Sequence, residues 1–541
     1  MRTRRSMLSA GVLTVVLSAA LQTTPGAVLH ANASPILGAV TVSGPIVGHP
    51  YPSADFDISG QGYTEKEYFL SGSAHSYGAA RPDAPYTTRM IVYRPLDATQ
   101  FSGNVVVEWN NVSSFNDAPV DLQWVHQQVI DEGDAYVAVS VQQAGICGPG
   151  QGRLPAPGFG SMPCIPTSLA GHDPARYGRL DLPGDDYSSG IFSQAAASLR
   201  NRNGADPLEG LIPNTVLAIG VSQSALALDD YIKSGADDSA RVFDGFLIDA
   251  DSQATLPSSY RVPTLHLWSE DAARPGVDES KANHVSWQIA GAPHVDRWAN
   301  SFSDSTGTRG NATPVTAPEI PSVDNLGNYG QEGPTGAVPC IGGSEFPRRY
   351  AVDAALAALQ VWVHSGIEPP RAPALEFTGI AESVQGAPTL PDIAGLPLDG
   401  VNAAALLVSP VAIARDAYGN ALGGLRLPVV TVPVAGYVGS ACVLLGTSTP
   451  LPANVLHELY PTHSVYVDKL LVDTRKAVQD RFMTAADGRD LIERACVSAI
   501  PSWGTTPSEQ RPETCLNIEA QLRNRESDIA RPDDAVPTRE G

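Results

Sequence analysis

The chain has 541 residues, of which 43% are hydrophobic and 17% charged, as is typical of a globular protein with a large core. This length allows one large domain or two to three ordinary ones. The formal net charge of −22 argues against nucleic acid and anionic membranes as partners.

The N-terminus has the pattern of an export signal. Arginines up to Arg5 precede an apolar run from Met7 to Leu21, and Ala31–Ala33 is similar to a cleavage site. Thr3–Leu8 resembles a twin-arginine signal. The apolar run is short for a membrane span, and no later one is long enough. We therefore expect residues 1–33 to be a signal peptide and the protein to be secreted or periplasmic, without stable membrane insertion.

An even number of cysteines in an exported chain suggests disulfide bonds. Six cysteines can pair in about 15 ways. Close spacing favours two local loops, which leaves one longer bridge: Cys147–Cys164, Cys496–Cys515 and Cys340–Cys442. No cysteine pair has the C-x-x-C spacing of a metal site.

We expect no metal and no cofactor. His457-Glu458 begins like the zinc motif H-E-x-x-H, but Pro461 stands where the second histidine is needed and would break the helix. The sequence also has no glycine-rich loop for a phosphate or a dinucleotide.

The first third of the chain predicts a mixed sheet. Antiparallel opening strands are expected at Val40–Ser43, Phe56–Ile58, Tyr63–Leu70 and Tyr86–Tyr93. A parallel crossover follows, with a strand at Asn104–Trp109, a helix at Leu122–Asp131 and a strand at Ala135–Gln142.

The remainder predicts an α/β domain with two long insertions. Residues Ala144–Tyr187 and Asn300–Gly343 are rich in Gly and Pro and long for connections, so we expect excursions over the sheet. Helices are expected at Tyr187–Asn201, Tyr350–Ser365 and Tyr466–Ala485, and strands at Val242–Ile248, Val262–Trp268, Val285–Ile289 and Val429–Val434. The domain is expected to cover residues 34–500, and residues 501–541 to be a polar tail.

Thr215–Leu228 (TVLAIGVSQSALAL) has the form of a nucleophile elbow. A buried strand leads to Gly220, a sharp turn carries Ser222, and an Ala/Leu-rich helix follows. Ser224 stands in place of the second glycine of G-x-S-x-G, and its small size suits packing.

A serine nucleophile needs a base and an orienting acid, which in α/β-hydrolases follow in the order Ser, acid, His. His294 comes shortly after the strand Val285–Ile289 and is the predicted base. Ser269-Glu270-Asp271 directly follows Val262–Trp268. Because consecutive side chains of an extended chain point in opposite directions, only one can reach His294. We favour Glu270, then Asp271, then Asp251 after the preceding strand.

Two groups are candidates for the oxyanion hole. The backbone N–H of Gln223, the residue after the nucleophile, is one donor. The second is expected from Asn110 or Asn111, in the turn after Trp109.

These motifs lie in segments that resemble large exported α/β-hydrolase-domain proteins of lipase or esterase type. The resemblance is carried by Val105–Ser114, Asp173–Ala196, Gly220–Ala225, Ala290–Asp296, Phe346–Gly366 and Gly419–Ala435. It implies one α/β-hydrolase fold, with a mostly parallel central sheet, helices on both faces and large lid-like insertions.

The resemblance also implies roles for three residues. It supports Ser222 as nucleophile and His294 as base. The family commonly reads S-E-x-D after the acid-bearing strand. Here Glu270 matches the glutamate, whereas Ala272 replaces the aspartate, which favours Glu270 as the acid.

The expected function is hydrolysis of a small-molecule or lipid-like carboxylic ester through an acyl-serine. Two alternatives stay open. An acyltransferase would use the same triad and pass the acyl group to an alcohol, and a non-catalytic binding protein would keep the fold without the reaction. The sequence does not specify the oligomeric state.

Overall fold

The structure is a computed structural model. It describes residues 37–54, 58–77, 81–113, 115–148, 164–201, 203–250, 256–276, 281–299, 343–380, 411–442, 444–498, 500, 515, 518 and 522. All of these belong to one compact unit, Ala33–Gly541. The predicted signal peptide, nearly all of the second insertion and Asp251 lie outside the described residues.

A nine-stranded sheet forms the centre of the described part. Its strands are β1 (Thr41–Ser43), β2 (Tyr63–Ala74), β3 (Ala84–Pro95), β4 (Asn104–Trp109), β5 (Ala135–Val139), β6 (Thr215–Val221), β7 (Gly245–Asp249), β8 (Thr264–Trp268) and β9 (His284–Gln288). Their order is β1-β2-β3-β5-β4-β6-β7-β8-β9. The pairings β1–β2, β2–β3 and β3–β5 are antiparallel, and the other five are parallel. The predicted mostly parallel sheet is confirmed.

The parallel strands are buried on both faces. Every residue of β4 to β9 is buried, which explains their nearly continuous apolar sequences. Along β4, Val106 points into one hydrophobic core while Val105 and Val107 point into the other. Because β4 and β6 to β9 run parallel, their carboxyl ends share one edge, called here the carboxyl edge.

Helices cover both faces of the sheet. They are α1 (Leu122–Glu132), α2 (Gln143–Cys147), α3 (Leu169–His172), α4 (Pro174–Tyr177), α5 (Ser188–Arg200), α6 (Gln223–Lys233), α7 (Ala236–Ala240), α8 (Arg349–Ser365), α9 (Pro428–Thr431), α10 (Ala453–Leu459), α11 (His463–Gln479) and α12 (Ala485–Val497). Helices α5 and α6 contribute Phe192 and Tyr231 to one core, whereas α1 and α8 contribute Trp124 and Leu356 to the other.

Short elements complete the described part. Single 3₁₀ turns occupy Ala98–Gln100 and Asp185–Tyr187. Two antiparallel hairpins pair β10 (Phe377–Ile380) with β11 (Val411–Ile413) and β12 (Ala435–Val438) with β13 (Thr447–Pro450). No helix of the described residues is long and apolar enough to cross a membrane.

Three predicted elements differ from the structure. The strand predicted at Val429–Val434 is wrong: Pro428 opens the short helix α9, where its missing N–H costs no hydrogen bond, and β12 begins only at Ala435.

The helix predicted at Tyr466–Ala485 ends at Gln479. A new helix follows because the Thr484 hydroxyl accepts from the Asp487 N–H as an N-cap. Of the strand predicted at Phe56–Ile58, Phe56 and Asp57 lie outside the described residues, and Ile58 lies in a turn.

Two of the three predicted disulfides are confirmed. Cys147–Cys164 closes a loop of the first insertion, and Cys496–Cys515 joins α12 to the predicted tail. Cys442 is also disulfide-bonded, and its predicted partner, Cys340, lies outside the described residues. Because Cys515 and Ile518 are buried in the core, this part of the tail packs against the domain.

The pH dependence of stability should reflect a buried carboxyl pair, Glu108 on β4 and Asp121 before α1. Burial raises the pKa of Glu108 to about 8, and burial together with the charge of Glu108 raises the pKa of Asp121 well above its usual range. The pKa of a glutamate in an unfolded chain is about 4.3. The folded protein therefore binds more protons between these values, and stability present at low pH is lost as pH rises toward 8.

We predict that the melting temperature of the wild type falls by several degrees between about pH 5 and 8, and that Glu108→Gln flattens this slope. Glu493→Gln, on the exposed face of α12, is the control and should keep the wild-type slope. Thermal unfolding in a pH series measures the effect, and a Glu108→Gln slope equal to the wild-type slope would contradict it.

Candidate active site

Ser222 lies at the sharp turn between β6 and α6. Its backbone has φ 61° and ψ −118°, a conformation that non-glycine residues rarely adopt. The Ser222 N–H donates to the carbonyl of Asp249, the last residue of β7, at 2.9 Å. The turn therefore has the strand, strained serine and helix that the sequence predicts for a nucleophile elbow.

Small neighbours allow this turn. A Cβ added to Gly220 would lie 2.9 Å from the backbone oxygen of Ser224, so any larger residue would push α6 away from β6. The buried Ser224 hydroxyl donates to the Val221 carbonyl at 2.8 Å and accepts from the Val221 N–H at 3.0 Å. Ser224 thus fits the space of a glycine and also closes the turn with its own hydrogen bonds.

His294 and Asp271 are hydrogen-bonded to each other. Nδ1 of His294 lies 3.0 Å from Oδ2 of Asp271, and each side chain is 7% exposed. Because a carboxylate can only accept, Nδ1 carries the proton of this bond, and Nε2 is the lone-pair nitrogen of the neutral imidazole. Nε2 is buried and has no hydrogen-bond partner among the described residues. No other side-chain hydrogen bond joins the three described residues Ser222, Asp271 and His294 to one another. All three follow strands that end at the carboxyl edge.

The structure does not bring the first choice of acid, Glu270, to His294; it brings the second choice, Asp271. Glu270 is wholly buried, and its carboxylate accepts from Arg415 (Nη2–Oε2 2.6 Å), from the Gly291 N–H at 2.7 Å and from the Gly439 N–H at 2.9 Å. Glu270 and Asp271 point in different directions, although they lie in a turn after β8 and not in the extended chain that the prediction assumed. Together with the two glycine N–H groups, the distant Arg415 holds the carboxylate of Glu270.

The backbone N–H groups of Asn110 and Asn111, the predicted sources of a second oxyanion donor, are engaged within the protein. The backbone N–H of Asn110 donates to the Val139 carbonyl, and that of Asn111 to the Ala118 carbonyl. The Asn110 amide donates to Asp117 at 2.8 Å and the Asn111 amide to the Val221 carbonyl at 2.9 Å. Both asparagines therefore anchor the loop after β4, and Asn111 ties it to the elbow, whereas their part in an oxyanion hole stays a prediction.

Gln223 retains the position that the sequence predicts. It is the first residue of α6, and the first N–H groups of a helix have no partner within the helix. Its side chain is fixed, because Oε1 accepts from the Val112 N–H at 3.2 Å and Nε2 donates to Gln142 at 2.8 Å.

Sequence reasoning missed three arginines that hold the surrounding loops. Besides Arg415, Arg89 is wholly buried and bonds Asp117 (Nη2–Oδ2 2.7 Å). Arg348 is wholly buried and bonds Asp249 (Nη2–Oδ1 2.5 Å). Burial raises the pKa of Asp249, and the charge of Arg348 opposes that shift. In the sequence, Arg348 is marked only by the basic pair Arg348-Arg349 at the start of the strongly apolar helix α8.

Comparison with known proteins identifies the family. A family profile described as "Alpha/beta hydrolase domain" matches residues 32–493. The chain belongs to this α/β-hydrolase family, and no curated protein matches it.

Solved structures give weaker likenesses. Esterase Est22 is 9% identical (TM-score 0.24) over 39% of this chain and 64% of its own. A glucuronoyl esterase from Teredinibacter turnerae is 14% identical (TM-score 0.20) over 40% of this chain and 46% of its own. A Pyrococcus furiosus esterase is 10% identical (TM-score 0.25) over 45% of this chain and 88% of its own. The first two alignments thus span less than two thirds of those proteins.

Alanine variants of the two serines in the elbow should differ in stability. We predict that Ser224→Ala lowers the free energy of unfolding by about 1–3 kcal/mol, because it leaves the buried Val221 N–H without a partner. Ser222→Ala should leave stability nearly unchanged or improve it, since the Ser222 hydroxyl closes no such turn. Denaturant titration of both variants measures the difference, and equal stability of Ser224→Ala and the wild type would contradict the role of Ser224.

Proposed function

We propose that this protein is a serine hydrolase that cleaves a carboxylic ester through an acyl-serine intermediate. One observation carries the proposal. A serine at a strained strand-to-helix turn shares the carboxyl edge with a buried histidine whose Nδ1 is held by Asp271 and whose Nε2 is unpartnered among the described residues. Membership of the α/β-hydrolase family supports the same reaction class.

The proposed reaction has two steps. His294 Nε2 takes the proton of the Ser222 hydroxyl as Oγ attacks the ester carbonyl carbon, and it then gives that proton to the departing alcohol. A water molecule repeats the sequence on the acyl-serine and releases the carboxylic acid and free Ser222. Asp271 keeps the proton on Nδ1 and stabilises the imidazolium that forms in each step.

The developing oxyanion would be bound at the start of α6. The Gln223 N–H is the first donor of this helix, and the positive end of the helix dipole favours a negative charge there. The locked side chain of Gln223 keeps this residue in place against the loop after β4.

We further propose that the substrate is a small-molecule or lipid-like ester and that the protein acts after export. The disulfides Cys147–Cys164 and Cys496–Cys515 support an oxidising compartment. Transfer to an alcohol acceptor would use the same residues, and product analysis with added alcohols distinguishes it from hydrolysis.

We predict that Ser222→Ala abolishes hydrolysis of a short activated ester and labelling by a fluorophosphonate, because the hydroxyl is the only group that forms the acyl bond. Turnover and probe labelling are measured on protein shown to be folded by circular dichroism. Ser224→Ala is the matched control and should still be labelled. Undiminished turnover by Ser222→Ala would refute the proposed function.

A second prediction separates the neighbouring carboxylates. Asp271→Asn should lower kcat by roughly 10³–10⁴-fold with little loss of stability, because the amide favours the wrong histidine tautomer. Glu270→Gln should mainly lower the melting temperature, since its amide would face the N–H groups of Gly291 and Gly439. Steady-state kinetics with thermal unfolding test both, and the larger loss of kcat in Glu270→Gln would reverse the assignment.

A further inference from the structure

Arg348 bonds to two segments of the candidate site, namely the loop that carries His294 and the end of β7. Its side chain is wholly buried at the start of α8, and its guanidinium donates to the carboxylate of Asp249 (Nη2–Oδ1 2.5 Å) and to the backbone carbonyl of His294. The same guanidinium lies over the ring of Trp124, 4.4 Å from its centroid. Packing and two acceptors thus fix its orientation.

Asp249 is also hydrogen-bonded to the main chain of the proposed nucleophile, Ser222. Its backbone carbonyl accepts the N–H of Ser222 at 2.9 Å. One guanidinium therefore connects the main chain of His294 with the strand end to which the main chain of Ser222 is bonded. This connection is short, since only Asp249 stands between Arg348 and Ser222.

The backbone of Arg348 holds the same loop at a second point. Its N–H donates to Asp296 (Oδ2) at 3.1 Å, two residues after His294. Asp296 in turn accepts from the Trp124 ring N–H at 3.1 Å. The His294 loop is thus bonded to Arg348 on either side of Val295.

We propose that Arg348 is a positioning residue that sets the separation between His294 and Ser222, a role that rests on the proposed function. A guanidinium presents its donors in a fixed planar fork and can serve two acceptors at a defined angle. Arg348 uses this fork to hold the base and the nucleophile-bearing strand as one unit. Neither substrate nor reacting atoms need touch it.

The next residue provides a matched control. Arg349 is also buried, at 9% exposure, but it turns to α12, where it bonds Asp487 and Asp490. Its guanidinium lies 4.5 Å from the ring centroid of Tyr350 and 4.7 Å from that of Trp298, and among the described residues it has no hydrogen bond to His294 or Asp249. Loss of Arg349 should therefore loosen the packing of α8 on α12 without moving His294 relative to Ser222.

The test compares Arg348→Met, Arg348→Lys, Arg349→Met and Arg349→Lys in the full-length protein. The measurements are kcat and KM for a short activated ester, the rate of fluorophosphonate labelling and the melting temperature. A displacement of about 1 Å in a catalytic group can cost about 10²-fold in rate. We expect Arg348→Met to lose about that factor in both kcat and labelling rate, with a much smaller change in KM.

The lysine variants sharpen the comparison. Arg348→Lys should recover only part of the rate, because a single ammonium group cannot reproduce the planar fork. Both Arg349 variants should lower the melting temperature and keep the wild-type labelling rate. If Arg348→Met does not fold, Asp249→Asn tests the same connection, since it weakens the contact to Arg348 and keeps the carbonyl that binds Ser222.

Two results would overturn the proposal. One is a wild-type labelling rate in folded Arg348→Lys and Asp249→Asn. The other is an equal loss of rate in the Arg348 and Arg349 variants at equal loss of melting temperature, which would reduce Arg348 to a stabilising residue. Absent labelling of the wild type would refute the proposed function and this role with it, whereas a labelled wild type with equally labelled Arg348 variants refutes only this role.

Discussion

The candidate site depends on arginine–carboxylate pairs at the carboxyl edge. The loops that reach this edge are irregular, and isolated backbone hydrogen bonds, such as those between Asn111 and Ala118, hold them only in part. Arg89 binds Asp117 in the loop after β4, Arg348 binds Asp249 at the end of β7, and Arg415 binds Glu270 after β8. Each pair joins a segment of the edge to a residue distant in sequence.

Such pairs are better understood as directional constraints than as sources of stability. Removing two charges from water costs several kcal/mol per ion, and their attraction often does no more than offset that cost. The benefit is geometric. A buried carboxylate satisfied by an arginine and by backbone N–H groups has one favourable position, and Glu270 is held in this way by Arg415, Gly291 and Gly439. The loop that carries Asp271 is thereby held by its neighbour.

This explains which features could be predicted from the sequence. The parallel strands, the elbow and the position of His294 follow from local patterns, namely buried apolar runs and turns at their ends. The choice between Glu270 and Asp271 does not, because it depends on Arg415, 145 residues further along the chain. The contact of Asn110 could not be predicted either. Its side-chain amide donates to Asp117, whose position depends on the ion pair with Arg89.

The elbow shows how local strain is maintained within these constraints. A residue held in a sparsely populated conformation costs of order 1–3 kcal/mol and persists only where its surroundings fix it. Ser222 is fixed from three sides: by the Asp249 carbonyl on its N–H, by the Ser224 hydroxyl across the turn and by Asn111 on the Val221 carbonyl. Two of these contacts come from outside the elbow, from the end of β7 and from the loop after β4. Because Arg348 and Arg89 hold those two segments, the strained serine is maintained by the same ion pairs that position the rest of the edge.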